Sequence, residues 1–174
     1  SIGSISATVS YTSCVVQGAG ELTIVDGHTF DGCLFDSCAT IVSNNPTLTN
    51  TTIKNSTTAA LEMDGASGAN LTGVIFAGNQ TDILIDVAGS TTLDVTECTF
   101  SDSTYYIEYT GTGTLTVTAS GTISAGKLNA SGGGTITVVA PTFDLTVNSS
   151  EAASQINVFA TGTATIIDTE ASNT

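Results

Sequence analysis

Arginine is missing altogether, and the only lysines are Lys54 and Lys127. Against 16 acidic residues this leaves a net charge of -14. Phosphate contacts need clustered Lys or Arg, so no nucleic-acid partner is expected. Attachment to an anionic membrane surface fails for the same reason. No run approaches the roughly 18 apolar residues of a spanning helix, so membrane insertion is not expected either. Trp is absent and aromatics make up 6% of the chain, which leaves Val, Ile, Leu, Ala and a few Phe to build a core. No segment sustains a 3.6-residue period, so helices are not expected. The chain opens on Ser1 without Met or a signal-peptide pattern, and the expectation is a processed chain or a piece of a longer one.

Hydrophobic residues still make up 40% of the 174 residues, too many for disorder and enough for one domain or one compact repeat array. Gly, Ser and Thr fill much of the remainder, with Pro only at positions 46 and 141. This mixture suits short strands joined by tight turns.

An internal repeat organises these residues. Units opening on Leu61, Ile85, Ile107, Leu128 and Ile156 each carry a second apolar residue eight positions later: Ala69, Leu93, Leu115, Ile136 and Ala164. Another follows two later, at Leu71, Val95, Val117, Val138 and Ile166. Phe76, Phe100 and Phe143 each come fifteen residues after a unit start. Earlier, Phe30 to Phe35 and Leu48 to Ile53 show the same five-residue spacing as Leu71 to Phe76 and Val95 to Phe100. A unit of this length cannot bury its inward rows alone, but stacked units can. Coils of about 21–24 residues would then pair through parallel ladders ~4.8 Å apart, apolar residues inward and Thr outward. Phe35, Ile53, Phe76 and Phe100 should form one internal stack. Gly65, Gly89, Gly111 and Gly132 share the fifth position of their units, which predicts a corner with positive φ.

The runs Phe30-Asp-Gly-Cys-Leu-Phe-Asp-Ser-Cys38 and Val95-Thr-Glu-Cys-Thr-Phe100 resemble coils of pectin-lyase-like right-handed parallel β-helix proteins. That resemblance covers residues 15–140 and concerns coil style. It implies an all-β, right-handed parallel β-helix of the kind found in tailed-bacteriophage tail and decoration proteins and in bacterial adhesins. The expected division is an N-terminal arm or cap over 1–14, the β-helix over 15–140, and a last irregular coil or the start of an appended, sandwich-like β segment over 141–174. Because a β-helix leaves unpaired strand edges at its ends, the run 1–13, the run after Pro141 or another chain should cover one.

Catalysis finds little support. Enzymes resembling pectate lyases use an Arg or Lys base with calcium-binding carboxylates, and hydrolases of this style need clustered Asp with a nearby His. Here the only His is His28, in the turn-like Val25-Asp-Gly-His-Thr29. Cys14, Cys33, Cys38 and Cys98 lack zinc-site spacing. Cys33 and Cys98 share a coil slot but belong to distant coils, whereas Cys14 could stack beside Cys33.

The residue after each unit start is Glu62, Asp86, Glu108, Asn129 or Asn157, placing an acidic line on the outside. Two readings stay open: carboxylates bridged by a divalent cation, or splayed, solvated carboxylates that keep copies apart. No other cofactor is expected. Asn50, Asn55, Asn70, Asn79, Asn129 and Asn148 open Asn-X-Ser/Thr motifs, glycosylation acceptors in a surface glycoprotein. With two cations, copies cannot join through many ion pairs. Tyr105, Tyr106 and Tyr109 are therefore the expected interface, with Tyr106 outward and Tyr105 and Tyr109 sharing the inward parity of Ile107. The resemblance implies a trimer. The expected role is a non-enzymatic structural protein of a virion surface (decoration, fibre or tail component) that contacts its own copies and shell or tail proteins. The alternatives are a prokaryotic cell-surface adhesin or sheath or S-layer subunit, and, further off, a polysaccharide-active enzyme.

Overall fold

A computed structural model describes residues 9–65 and 68–142, together with strands Gln155–Phe159 and Ile166–Ala171. Residues 1–141 form one compact unit and 142–174 another. The first is a parallel β-solenoid of about 6 turns.

Its strands come in threes. The first turn holds β1 (Ser10–Thr12), β2 (Val15–Gln17) and β3 (Leu22–Thr23). The second holds β4 (Thr29–Asp31), β5 (Leu34–Asp36) and β6 (Ile41–Val42). The third holds β7 (Thr47–Thr49), β8 (Thr52–Lys54) and β9 (Ala59–Met63), and the fourth β10 (Asn70–Thr72), β11 (Ile75–Ala77) and β12 (Thr81–Ile85). The fifth holds β13 (Thr91–Asp94), β14 (Thr99–Ser101) and β15 (Tyr105–Tyr109); the sixth holds two strands, β16 (Thr114–Thr118) and β17 (Leu128–Asn129), and β18 (Thr135–Val139), which pairs with β16, opens the next. The flanking sheets are β1-β4-β7-β10, β2-β5-β8-β11-β14, β3-β6-β9-β12-β15-β17 and β13-β16-β18.

The expected internal stack is present: Phe35 pairs with Ile53, Ile53 with Phe76, and Phe76 with Phe100. Phe76 and Phe100 lie parallel with ring centroids 5.4 Å apart. On the third sheet the inward row runs Leu22, Ile41, Leu61, Ile83, Ile107, Leu128. Three-residue strands bury only their middle residue, which is why the alternation is so regular.

Several expectations change. The array begins with β1 at Ser10, inside the segment assigned to an N-terminal arm. Its first two turns are shorter than 21 residues: Ser10 pairs with Thr29 and Thr29 with Thr47, steps of 19 and 18. The unit start at Ile85 is two residues late, because Leu61 pairs with Ile83, and Ile83 with Ile107. Likewise Leu93 pairs with Val117 rather than Leu115. In the second unit Gln155–Phe159 (β19) and Ile166–Ala171 (β20) pair antiparallel, unlike the parallel ladders of the coils. Coverage of the ends by residues 1–8 or by the run after Thr142 lies outside the described side chains.

The glycine column also has another cause. None of Gly65, Gly89, Gly111 and Gly132 has positive φ. Apart from Gly27 and Gly133, the left-handed corners fall instead in two columns flanking the second sheet: Ser13, Gly32, Asn50 and Gly73 before it, and Gly18, Ser37, Asn55, Gly78 and Asp102 after it. Gly111 and Gly132 are needed for close approach of coils. A Cβ on Gly111 would meet the Val87 carbonyl and the Tyr109 ring, and one on Gly132 the Thr110 carbonyl. Gly89 has nothing within 4 Å of that position. Gly132→Ala should therefore lower stability by about 1–3 kcal/mol through overpacking against backbone, while Gly89→Ala stays within ~0.5 kcal/mol. Thermal unfolding of the two variants checks this, and equal melting points would refute the close-approach explanation.

Candidate functional site

Charged and polar side chains concentrate along the third sheet and the turn leading into it. The outward line on that sheet runs Val42, Glu62, Leu84, Glu108, Asn129. Asp86 is not on it: its amide donates to the Met63 carbonyl, which puts it beside Asp64. The expected acidic line is thus redistributed. Carboxylate oxygens of Glu62, Asp64 and Asp86 lie within 4.8 Å of one another. Glu108 is separate and accepts from Asn129 Nδ2 (3.0 Å) and Thr81 Oγ1 (3.3 Å). Partial burial, with the charges of Asp64, Asp86 and Glu21, pushes the Glu62 carboxyl above its ordinary range. Asp86 also accepts from Thr110 Oγ1. Three carboxylates so close have the donor set of a hard divalent cation. Exposed Asp64 and Asp86 are equally consistent with solvation, so both readings of the acidic residues stand.

A second cluster escaped the sequence. The turn after the second sheet carries Cys38, Ser56, Asn79 and Ser103 in one buried column. Asn79 Nδ2 donates to the Ile53 carbonyl (3.1 Å) and to Asp82 Oδ1 (2.8 Å). Ser103 Oγ donates to the same oxygen at 2.6 Å. Asp82 is 0% exposed, and its Oδ2 has no partner. Burial raises its carboxyl to about 6, opposed by Ser103, Asn79 and the charge of Lys127. Lys127 donates Nζ to the Ser103 carbonyl (2.5 Å) and stands 5.1 Å from the Tyr106 ring centroid, a cation–π contact. Strict strand alternation would have sent Asp82 outward with Leu84. The signal was the recurring small polar residue at this corner, which marks a place where side chains turn in to satisfy the chain.

The tyrosines are rearranged too. Tyr109 is buried and donates its hydroxyl to the Gly89 carbonyl (2.5 Å), so it fills the coil and cannot serve an interface. Tyr106 does not stand on the outer line; its ring stacks on Phe100 at 5.2 Å. Tyr105, paired with Thr81, is half-buried.

Of the Asn-X-Ser/Thr motifs, Asn50, Asn55 and Asn70 are exposed. Asn79 is buried with its amide nitrogen engaged, which removes it as an acceptor in the folded chain. Asn129 is half-buried on Glu108, and Asn148 lies outside the described residues.

His28 is buried and stacks on Tyr11 at 6.1 Å, rather than standing in an open turn. All four thiols are free. Burial pushes the Cys98 thiol up to about 12, so it is no nucleophile at neutral pH. Cys14 and Cys33 occupy one slot of consecutive turns, since Leu34 N–H donates to the Cys14 carbonyl. Cys14 N–H also points at Cys33 Sγ, 3.4 Å away. Adjacent ladder positions lie within the Cα spacing a disulfide accepts. A mild thiol oxidant should therefore join these two and leave Cys38 and Cys98 reduced; peptide mapping that finds another pair first would contradict the register.

Comparison with protein-family models, curated proteins and solved structures gives no match. Among the described residues no helix is long and apolar enough to cross a membrane.

Proposed function

We propose that this chain is a non-enzymatic structural protein of a virion surface, a decoration, fibre or tail component that works through protein–protein contacts. One observation carries the reading: polar side chains along the described turns bond from one turn to the next. Asn50 donates to Asp31 (3.2 Å), Asn55 to Asp36 (2.8 Å), Asn129 to Glu108 (3.0 Å), and Thr114 meets Thr135 (3.2 Å). Each bond ties one turn to the next, and such ties stiffen a stack whose surface is its product. The Asp36 carboxyl is held below its usual range by Asn55, Ser37 and Lys54 together, so this tie persists into mild acid.

A prokaryotic cell-surface adhesin or sheath or S-layer subunit is the second reading. Exposed Asn70 favours it, as do Asn50 and Asn55 once their amides leave Asp31 and Asp36, because occupied sites would mark a surface glycoprotein. A polysaccharide-active enzyme is a distant third. The deciding experiment is imaging and peptide mass spectrometry of native particles from the source. Finding the chain on a capsid or tail, with unmodified Asn50, Asn55 and Asn70, supports the virion role; finding it glycosylated in a cell envelope replaces that role with the second reading.

A further inference from the structure

The outward face of the second sheet differs in charge from the rest of the molecule. Register places Val15, Leu34, Thr52, Ile75 and Thr99 in one outward row. Gln17, Asp36, Lys54, Ala77 and Ser101 form the other. Val15 is 68% exposed and Ile75 42%, two of the most exposed large aliphatics among the described residues. The face's only charges, Asp36 and Lys54, form an ion pair at 3.4 Å. On a chain of net charge -14 this face is therefore neutral. The left-handed corners at its margins carry short side chains, Gly, Ser, Asn and one Asp, while Glu97 stands at the corner before β14. The neighbouring sheets differ: one turns Asp31 outward, the other Glu62 and Glu108.

We propose that two copies of this chain meet through this face, about a two-fold axis lying along the strands between β5 and β8. The inference deepens the structural reading above and rests on it for its biological setting. That axis exchanges β5 with β8 and β2 with β11. It lays Val15 on the partner's Ile75, Leu34 on the partner's Thr52, and Lys54 on the partner's Asp36. A two-fold contact is self-complementary by construction, and this face matches itself in both apolar bulk and charge. Strongly acidic copies cannot approach through the flanks bearing Glu62, Glu108 or Asp31 without opposing like charges. One face closes a pair, whereas a trimer needs two different patches. Five strands ~4.8 Å apart give a face only about 20 Å tall. That is smaller than the roughly 800 Å² per partner of a standard interface, so the pair is weak in dilute solution and strengthens where copies are held close.

Sedimentation velocity of the whole chain at low and high micromolar concentration, at physiological ionic strength so that the net repulsion of acidic copies is screened, tests this. Wild type should form dimers at the upper end. Ile75→Asp should weaken pairing about tenfold or more, because it sets a carboxylate against Val15. Lys54→Asp should do the same, and D36K/K54D should restore pairing. Circular dichroism confirms that each variant stays folded, since all these side chains face outward. A wild type that remains monomeric, a trimer, or an Ile75→Asp variant that pairs like wild type would overturn the proposal. A monomer whose face is covered by a different shell protein on the particle would overturn it while sparing the virion role. Dimers that dissociate on Ile75→Asp, in a chain absent from any particle, would instead sink the virion role alone.

Discussion

Phe76→Ala should cost about 3–5 kcal/mol of stability, among the largest effects expected for any single truncation in this chain. Phe76 is 0% exposed and is the middle member of the stack that links Ile53 to Phe100. Phe100 in turn stacks on Tyr106 at 5.2 Å, so the aromatic column continues into the third sheet. Removing the middle ring forfeits its transfer from water and leaves a void between turns that three-residue strands, pinned on both sides by ladders, cannot collapse to fill. In a stack where each turn touches only its neighbours, the loss falls on the interfaces of the fourth turn with the third and fifth. Denaturant titration followed by circular dichroism should show a lower midpoint, with the transition broadened if the two halves uncouple. Phe100→Ala, at a half-buried position, should cost less. The internal stack is misassigned if Phe76→Ala proves milder than Phe100→Ala.

Much of this core was legible because the five-residue step from Phe30 to Phe35, Leu48 to Ile53 and Leu71 to Phe76 spans one corner between two three-residue strands, and Val95 to Phe100 keeps the spacing although Val95 lies just past the end of β13. Such a corner has little freedom, so its spacing repeats even where turns differ in length. The misplacement at Ile85 arose where that constraint lapses. In Thr81–Ile85 both Ile83 and Ile85 face inward, and composition alone gives no reason to prefer either as the partner of Ile107. The same slip placed Asp86 on a line that belongs to Leu84, and hid Asp64 from the acidic cluster. The glycine column was visible, but its cause was not. Coil-to-coil approach is a property of the stack and leaves no local mark, whereas the real left-handed corners are shared among Gly, Asn, Ser and Asp. The outward placement expected for Tyr106 changes for a related reason. Alternation holds inside a strand but not at its first residues, where the chain is still turning the corner; Tyr106 and Asp82 both sit there and both turn inward.

That inward turn makes Asp82 the source of the second large effect. Its carboxyl titrates at about 6 in the folded chain against an ordinary value of 3.8, because burial penalises the charged form more than its hydrogen bonds and Lys127 favour it. The folded state therefore holds this proton more tightly than the unfolded state does. The resulting stability is fully present below pH ~3.8 and is lost as pH rises through ~6. A difference of about two pKa units corresponds to roughly 3 kcal/mol, so above neutrality Asp82 is a net burden on the fold. Glu62, also raised by burial and by neighbouring carboxylates, acts with the same sign; Asp36, lowered, acts with the opposite one. The contribution of Asp82 is isolated by comparing wild type with Asp82→Asn at each pH. The amide oxygen can still accept from Asn79 and Ser103, while the buried charge is gone. Asp82→Asn should be more stable than wild type by about 1–3 kcal/mol at pH 7.5, the gain being reduced by loss of the attraction to Lys127. The advantage should shrink toward zero as pH falls to ~4, since wild type then carries its own proton. Asp82→Ala, which strands the Asn79 amide and the Ser103 hydroxyl without their acceptor, should fall below Asp82→Asn at every pH. Chemical denaturation from pH 4 to 8 reads all three. A wild type that gains stability relative to Asp82→Asn as pH rises from 4 to 7 would show that the buried carboxylate is held charged, and that the Lys127 contact outweighs its desolvation.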